Sequence, residues 1–543
     1  MAKNFWEKLK PFSSSFLLLI IFVGIFLRVY GLNRYPVGFH SQEALLGWRA
    51  HTFLLTGKDE TGRFLPLIFS SLEGYQLPFS TYLLIPSVKI LGLNETAVRL
   101  TFALFGVLAI VSLFGIIRLL LPQEKKLAFW ATFFFAINPW SLWQSRIASA
   151  SHLSFSLFLI GFFFLLLAMK KKWSLPISII FLAFSLYTAK LVWFFIFPFL
   201  LLSWFFKKRK GILITFFTLV ILLAPLLFLY NKVPQAKLDF LKHDLTLFDD
   251  RAITSKIDMM RGEDIQAGYP FLGKIFYNKT FYVEKLTENF LRHFNPRFYF
   301  ASGDSNPLHG LTNFGPILFV FLPFTFMGVW LMFKKEKKFF YFLFFWFLVG
   351  IIPSVLSLPS PNEEKSIFVL PVLAILSAYA LVNLKKIYLT AFWILLIINI
   401  SIVSYDAMVK EPLRVQEKWQ YGYKNLAIFL NRNLEGYQKI FLTDSYGSDP
   451  GPLLLFYFNY PPEKFIKNNQ EKFSYRYWIK QVDKITIDQK NSWELNKFNL
   501  FVMVPEEKEL LSKLDNPNKK EIIKDLTGEP LFLIFSCCQE YEK

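Results

Sequence analysis

The chain has 543 residues, of which 54% are hydrophobic and 66 are phenylalanine, and its formal net charge is +20. Several apolar runs reach about 20 residues, the length of a helix that crosses the hydrocarbon core of a bilayer, which excludes an ordinary soluble globular protein. Many lysines and arginines flank these runs, as the positive-inside rule requires, so the excess positive charge does not indicate a nucleic-acid partner.

Eleven apolar segments of the sequence are predicted to cross the membrane as helices. Residues 1–10 are basic and precede the first apolar run without a small-residue cleavage site, which predicts a cytoplasmic tail and an uncleaved first span. In chain order the predicted spans are 14–32, 98–121, 127–143, 152–169, 174–188, 191–206, 211–230, 312–333, 339–357, 366–384 and 387–404.

Clusters of lysine and arginine at alternate junctions predict the orientation of these spans. The positive-inside rule assigns the clusters to the cytoplasm, so eleven crossings from a cytoplasmic N-terminus leave the C-terminus outside. The apolar segment 77–92 contains Pro78, Pro86 and Lys89 and would reverse this orientation if it crossed, so we expect a juxtamembrane helix on the outer surface. The expected location is the plasma (inner) membrane. The clusters are 125–126, 170–172, 207–210, 334–338 and 385–386.

Three outer segments are long enough to build a site, namely the loops at about 33–97 and 231–311 and the tail after residue 404. The tail mixes helical and strand-like patterns, which predicts a small extracytoplasmic α/β domain at 405–543 beside an all-α polytopic membrane domain at 1–404. Within the tail, the predicted helices are 413–433 and 506–515, and the predicted strands are 439–443, 499–504 and 531–535.

Glu43 is the first candidate for chemistry, because it lies just after the first span at the start of an amphipathic helix. A carboxylate at that position also has a structural explanation, since it interacts favourably with the helix dipole and caps free amide groups. The functional alternative is a general base at the membrane surface that takes a proton from an acceptor hydroxyl.

The outer segments carry a series of short motifs that resembles the GT-C-fold membrane glycosyltransferases. The resemblance is to the group around protein O-mannosyltransferases and the aminoarabinose transferases of lipid A. It covers most of residues 20–405, and the tail sequence Trp-Gln-Tyr-Gly-Tyr at 419–423 is similar to extracytoplasmic tails of bacterial relatives. The motifs that carry it are 31–48, 54–66, 93–100, 138–148, 186–190, 303–310 and 361–366.

This resemblance implies transfer of a monosaccharide from a polyprenyl phosphate to an acceptor hydroxyl on the outer face, with inversion at the anomeric carbon. It implies Glu43 as the base, and the cations Arg99, Arg146, Lys190 and Lys365 are candidates for the donor phosphate, with which Arg and Lys pair strongly. The alternative for the two arginines is a cation at a helix end that reaches the interface. The acceptor is a protein, a lipid or a glycan; the other partner is membrane lipid, and no cofactor is expected.

Three departures from the family pattern bear on activity. Relatives usually have an Asp-Glu pair where this chain has Gln42 and Glu43, and an amide cannot act as a base. Relatives often carry a glutamate after the Ser-Arg-Ile-Ala segment, where this chain has 149–152, and a His and an Arg at 362–365, where this chain reads Asn-Glu-Glu-Lys. A catalytically degenerate member that acts as a binding or assembly protein is therefore the alternative function.

Asp304 and His309 are further candidates, because they lie close together before the eighth predicted span. Asp304 is equally explained as a turn residue, and its spacing from Glu43 and His309 does not require a metal ion, so we expect no metal. The adjacent cysteines Cys537 and Cys538 provide neither a disulfide framework nor metal spacing.

A transporter is the remaining rival class. It would carry ionisable residues at mid-membrane and broken helices in paired halves. In this sequence the predicted spans hold almost no charges at their centres, and the polar residues collect in the outer segments, which favours chemistry at the outer surface. A Walker A motif and a dinucleotide fingerprint are both absent from the sequence, which argues against an energy-coupled pump.

Overall fold

The structure is a computed structural model that describes residues 11–71, 74–202, 209–233, 236–237, 240, 244–249, 251–277, 280–469, 479–488, 493, 498–513 and 517–537. Its longer helices are numbered here in chain order. They are α1 Pro11–Val29, α2 Ser41–Thr56, α3 Phe79–Leu91, α4 Glu95–Leu120, α5 Lys125–Ile137, α6 Pro139–Ser145, α7 Ala150–Ala168, α8 Ser174–Leu186, α9 Trp193–Leu202, α10 Arg209–Lys232, α11 Arg251–Gln266, α12 Pro270–Phe276, α13 Thr280–Arg292, α14 Leu322–Lys335, α15 Lys337–Val355, α16 Leu370–Val382, α17 Lys386–Tyr405, α18 Glu411–Val415, α19 Tyr423–Asn433, α20 Gly451–Tyr457 and α21 Pro462–Asn469.

Helices form the greater part of the described chain, and each predicted span overlaps an apolar one. The chain is therefore a multi-pass membrane protein, while the predicted count of crossings and their orientation stay predictions. The helices that are long and apolar enough to cross a membrane are Glu95–Leu120, Ala150–Ala168, Lys210–Lys232, Lys337–Val355 and Ile387–Val415. Shorter apolar helices are Ser15–Val29, Phe79–Leu91, Ser174–Leu186, Lys190–Leu202 and Ile367–Val382.

Two predicted spans differ from the observed helices. The segment 127–143 is divided because α5 ends at Ile137 and α6 begins at Pro139, whose ring cannot continue the preceding helix. The segment 312–333 is helical only from a short 3₁₀ turn at Phe319–Phe321 onward, because its first residues bond to other elements. The amide of Ile317 donates to the Tyr299 carbonyl at 2.8 Å, and the amide of Trp140 donates to the Pro316 carbonyl at 2.9 Å.

Small and hydroxylated residues bring the apolar helices close together. The hydroxyl groups of Ser154 on α7 and Ser185 on α8 lie 2.8 Å apart. Between α14 and α16, a hydrogen bond of 2.6 Å joins Thr325 and Ser377. A side chain at Gly328 would collide with the Leu376 backbone, so only glycine permits this approach. Because lipid tails are as apolar as the helices, such packing and hydrogen bonds supply the association that burial alone does not.

The tail folds around a six-stranded mixed sheet whose strand order is β4-β5-β3-β6-β8-β7. Strand β3 pairs in parallel with β5 and β6, and the other pairings are antiparallel. A separate hairpin of β1 and β2 lies in the first outer loop. The strands are β1 Phe69–Ser71, β2 Gly74–Gln76, β3 Lys439–Leu442, β4 Gln481–Val482, β5 Ile485–Ile487, β6 Asn499–Met503, β7 Pro517–Lys524 and β8 Pro530–Cys537.

The three strands predicted in the tail coincide with β3, β6 and β8, but its helices were predicted less well. The single helix predicted at 413–433 is wrong, because the chain turns between α18 and α19 at Gln420 and Gly422, which both have positive φ. The helix predicted at 506–515 is a 3₁₀ helix at Pro505–Lys513. Residue Cys538 lies outside the described residues.

The tail and the first outer loop share one hydrophobic core. Leu45 and Trp48 of α2 pack in the same buried cluster as Leu453 and Phe456 of α20. The Trp48 indole donates to the Tyr460 carbonyl at 3.1 Å. The tail therefore packs directly against the helix that carries Glu43, and the division into 1–404 and 405–543 stays a prediction.

Replacement of Gly38 by alanine tests this junction. Gly38 has φ +78°, and a Cβ atom there would collide with the Trp419 carbonyl oxygen of the tail. We expect Gly38→Ala to lower the free energy of unfolding by about 1–3 kcal/mol, because neither backbone can move without loss of contacts. Thermal unfolding in detergent measures the loss. The control Gly436→Ala, with nothing within 4 Å of the new atom, should differ little from wild type; equal stability of both variants would contradict the junction.

Candidate functional site

A cavity of 460 Å³ lies where the outer loops, the ends of several apolar helices and the tail meet. Five of the predicted site residues line it, and Trp419 of the tail lines it as well. Three predicted residues, Arg99, Arg146 and Asp304, are not part of its lining. Those that line it are Gln42, Glu43, Lys190, His309 and Lys365.

Helix α2 places Gln42 and Glu43 in the cavity wall. His40 is its N-cap residue, and Nδ1 of its ring accepts a hydrogen bond from the Gln42 amide at 3.3 Å. Burial lowers the pKa of His40 to about 4, against the opposing charge of Glu43, so the ring is neutral and can accept this bond. The cap begins the helix at Ser41, so Glu43 lies in its first turn, at the start of a helix as the sequence predicts.

Glu43 is held by an ion pair with Arg99. Nε of Arg99 lies 3.1 Å from Oε1 of Glu43, and Nη2 lies 2.7 Å from Oε2. The Ala148 amide donates to Oε1 at 2.9 Å. Both side chains are buried, and Arg99 also donates to three loop carbonyls, those of Leu32, Pro36 and Gly38. Three donors therefore bind the Glu43 carboxylate, which gives it a structural role as the partner of a buried cation and of the Ala148 amide.

Arg146 holds the loop after the first helix. Its guanidinium donates to the carbonyl oxygens of Leu27, Tyr30, Gly31 and Tyr35, at distances from 2.6 to 3.2 Å. The donors of Arg99 and Arg146 are thus bonded to protein acceptors. Phosphate binding by these two arginines stays a prediction that their contacts do not support.

The two lysines are placed differently, because both line the cavity. Lys190 begins a short 3₁₀ turn, Lys190–Val192, which leads directly into the apolar helix α9. Its ammonium group lies 2.5 Å from Oδ2 of Asp244, a residue of the second outer loop. Lys365 is half-buried, and its amide donates to Oδ1 of Asn362 at 2.9 Å. The cavity is therefore lined by two cationic residues from different loops.

Asp304 and His309 form a hydrogen-bonded pair at the edge of the cavity. Nδ1 of His309 lies 2.7 Å from Oδ2 of Asp304, while Nε2 lies 3.1 Å from the side-chain nitrogen of Asn306 and 3.4 Å from Oε2 of Glu364. Burial acts to lower the pKa of His309, but the hydrogen bond and charge of Asp304 and the charge of Glu364 raise it overall. Sequence reasoning missed Glu364 as a site residue; its position beside Lys365 in one outer motif was the available signal.

Glu363 is buried beside this pair and is joined to Asp304 by two hydrogen bonds. Its carboxyl accepts the Asp304 amide at 3.0 Å, and its own amide donates to Oδ2 of Asp304 at 2.9 Å. Burial raises the pKa of Glu363 well above its usual range, and the charge of Asp304 adds to this effect. A side chain at Gly303 or Gly310 would collide with the Glu363 carboxyl, so both glycines make room for it.

Three buried polar atoms in the cavity wall lack a hydrogen-bond partner among the described residues. They are Oε1 of Gln144, the hydroxyl of Ser80 and the indole nitrogen of Trp419. A buried polar atom without a partner is unfavourable, so these groups are suited to bind a polar ligand. Within the described ranges, no three His, Cys, Asp or Glu side chains are grouped to hold a metal ion.

The comparisons with known proteins come from structure alone, since no protein-family model and no curated protein matches the sequence. The crystal structure of ArnT from Cupriavidus metallidurans in the apo state has a TM-score of 0.54 and 12% identity, over 99% of this chain and 99% of that chain. The structure of ArnT bound to undecaprenyl phosphate has a TM-score of 0.53 and 13% identity, over 97% of each chain.

An archaeal protein is also similar. The oligosaccharyltransferase AglB from Archaeoglobus fulgidus, in complex with an inhibitory peptide and a dolichol-phosphate, has a TM-score of 0.48 and 15% identity, over 82% of this chain and 64% of that chain. ArnT is a lipid A aminoarabinose transferase of GT-C fold, and the likeness of this chain to it extends over 99% of both chains. This chain has the GT-C fold, and the fold expected from the sequence motifs is confirmed.

A double-mutant cycle tests the buried ion pair. Arg99→Leu leaves the Glu43 carboxylate without its cation and should lower the free energy of unfolding by about 3–5 kcal/mol. Combination with Glu43→Gln removes the unpaired charge, so the double variant should be destabilised by less than the sum of the two single variants. Chemical unfolding in detergent gives all three values.

The matched control is Arg432→Leu at an exposed position of α19, which should change the free energy of unfolding by less than about 0.5 kcal/mol. Additive effects of Arg99→Leu and Glu43→Gln would show that the two side chains do not stabilise each other.

Proposed function

We propose that this protein is a membrane glycosyltransferase that moves a monosaccharide from a polyprenyl-phosphate donor to an acceptor hydroxyl at the outer face of the membrane. The observation that carries the proposal is one cavity, in a GT-C fold, lined by carboxylates and by two lysines that adjoin apolar helices. A lipid-linked sugar phosphate has the matching chemistry, since its anion lies at the membrane surface and its chain lies in the bilayer.

Lys190 and Lys365 are the proposed partners of the donor phosphate. The phosphate is the leaving group of the reaction, and its negative charge increases as the bond to the anomeric carbon breaks. Cations placed near the departing oxygen stabilise this charge in a partly water-excluded site. Because Lys190 directly precedes α9, a bound phosphate would leave its polyprenyl chain beside an apolar helix.

An inverting transfer requires attack from the face of the sugar opposite the phosphate. The acceptor oxygen forms a bond to the anomeric carbon, the bond to the phosphate oxygen breaks, and a base takes the acceptor proton. The sequence prediction names Glu43 as that base. Its carboxylate lines the cavity but already accepts three hydrogen bonds, so this role stays a prediction.

The structure of ArnT with undecaprenyl phosphate supports a lipid-phosphate donor for this chain, because the two chains share their fold over nearly their whole length. The proposed acceptor is a protein, lipid or glycan hydroxyl. The proposed setting is the plasma (inner) membrane, with the N-terminus in the cytoplasm and the cavity and tail outside. Membrane lipid is the other expected partner.

Sugar transfer by the purified protein in lipid nanodiscs tests the proposed function. A panel of radiolabelled polyprenyl-phosphate monosaccharides serves as donors, and release of polyprenyl phosphate is measured. Replacement of Lys190 or Lys365 by methionine should reduce kcat/KM by about 10–100-fold, as expected for loss of a charged hydrogen bond. The control Lys89→Met changes an exposed lysine outside the cavity and should retain wild-type transfer. If the wild-type protein releases no polyprenyl phosphate from any donor, the result would favour the alternative of a non-catalytic binding protein.

Asp244 provides a second test, because the donor phosphate must replace it as the partner of Lys190. We expect Asp244→Asn to lower the Kd for polyprenyl phosphate by about two- to fivefold, because the phosphate no longer competes with a partly exposed ion pair. Titration of the nanodisc-bound protein with undecaprenyl phosphate measures the Kd. The gain should vanish in the Lys190→Met background; weaker binding by Asp244→Asn alone would exclude competition for Lys190.

A further inference from the structure

The cavity contains one carboxylate whose oxygens are only weakly bonded. Among the described lining residues, the carboxylates are Glu43, Asp244 and Glu364. Glu43 accepts three bonds of 2.7 to 3.1 Å, and Asp244 lies 2.5 Å from Lys190. Glu364 has longer contacts, 3.3 Å from the Ser149 hydroxyl and 3.4 Å from Nε2 of His309. Its side chain is 29% exposed, so its oxygens remain open to a hydroxyl group in the cavity.

The ring of His309 is held in one orientation beside Glu364. Nδ1 is fixed 2.7 Å from Oδ2 of Asp304, whose two oxygens also accept amides of Asn306 and Glu363 at 2.8 and 2.9 Å. This anchoring leaves Nε2 as the ring atom that faces the side-chain nitrogen of Asn306 at 3.1 Å and Oε2 of Glu364 at 3.4 Å. The arrangement resembles the general form in which an aspartate orients a histidine, and the histidine in turn orients the reacting group.

Gln144 provides an independent sign that a polar ligand binds beside this group. Its side chain is fully buried, and its Nε2 atom lies 3.4 Å from the His309 carbonyl oxygen. Gln144 lines the cavity, and its Oε1 atom has no hydrogen-bond partner among the described residues. A hydroxyl group of the sugar or of the acceptor would satisfy that oxygen.

From this geometry we infer that Glu364 is the general base of the transfer and that Asp304 and His309 are positioning residues that hold it. The inference rests on the proposed function. In the reaction, the acceptor O–H bond breaks and its proton goes to the Glu364 carboxylate, while the acceptor oxygen bonds to the anomeric carbon. The bond from that carbon to the phosphate oxygen breaks at the same time, and polyprenyl phosphate leaves with the electron pair. The departing phosphate or water then takes the proton from Glu364.

The contacts of His309 explain why the carboxylate rather than the ring is the base. Nε2 of His309 lies 3.1 Å from the side-chain nitrogen of Asn306, and Oδ1 of Asn306 accepts the Leu308 amide at 3.1 Å. The free ring nitrogen therefore already faces a hydrogen-bond donor, whereas the Glu364 carboxylate has only contacts of 3.3 and 3.4 Å. The groups that face this site from the packed elements are His40 and Glu43 of the first loop, Lys190 and Asp244 across the cavity, Asp304 beside His309, and Glu363 and Lys365 next to Glu364.

The experiment measures transfer and donor binding by the full-length protein in nanodiscs. Glu364→Gln should reduce kcat by about 10²–10⁴-fold and abolish the acidic limb of the pH profile, while its Kd for undecaprenyl phosphate stays within about twofold of wild type. Glu364→Asp keeps the carboxylate on a side chain that is one methylene shorter. We therefore expect an intermediate kcat and a pH profile that retains its acidic limb. The control Glu435→Gln alters a carboxylate that is 76% exposed and should behave as wild type.

His309→Gln separates positioning from a merely structural role. Loss of the ring beside Glu364 should misplace the base and lower kcat by about 10–100-fold, while KM and the Kd for undecaprenyl phosphate stay within about twofold of wild type. Wild-type activity in Glu364→Gln, or loss of the acidic limb in Glu43→Gln but not in Glu364→Gln, would overturn the inference and leave the proposed function intact. No transfer by wild-type protein with any donor would overturn the proposed function and this inference together.

Discussion

The buried guanidinium of Arg99 is the interaction on which the rest of the outer surface depends. It binds the Glu43 carboxylate and three carbonyl oxygens of the first outer loop, and its charge lies 5.2 Å from the Phe39 ring centroid and 5.8 Å from that of Trp419. A buried cation is tolerated only when hydrogen bonds and an opposite charge replace its hydration. The loop, helix α2, helix α4 and the tail must therefore meet at this one group, and the loop, α2 and the tail contribute residues to the cavity wall.

The charges around the cavity divide into two kinds. The side chains of Arg99, Arg146 and Glu43 are committed to the protein, since their donors and acceptors are bonded to the loops that they hold. Lys365 and Glu364 line the cavity and are partly exposed, so they can meet a ligand. In the proposed transfer, the amide of Gln42 cannot act as a base, and Glu364 on the loop before α16 supplies the carboxylate.

The tail contributes to the cavity directly. Trp419 lies in its wall, and the Gln420 side chain accepts the Ser41 amide at 2.7 Å at the start of α2. A tail attached by a flexible linker could not hold a helix N-terminus in this way. Because the sheet packs against α2 through a shared hydrophobic core, the position of Glu43 and the fold of the tail are coupled. Loss of the tail is thus expected to disturb the cavity as well as to expose it.

The sequence by itself determined the apolar helices, the three strands β3, β6 and β8, and the outer segments in which the polar residues collect. Hydropathy, strand patterns and basic clusters are properties of single segments, so they can be read without knowledge of packing. The tertiary structure alone decided which candidates meet. Glu43 and Arg99 are 56 positions apart, and Glu364 reaches His309 from a different loop, so both contacts exist only after the helices pack. The roles of these side chains follow from their partners, and no local pattern contains that information.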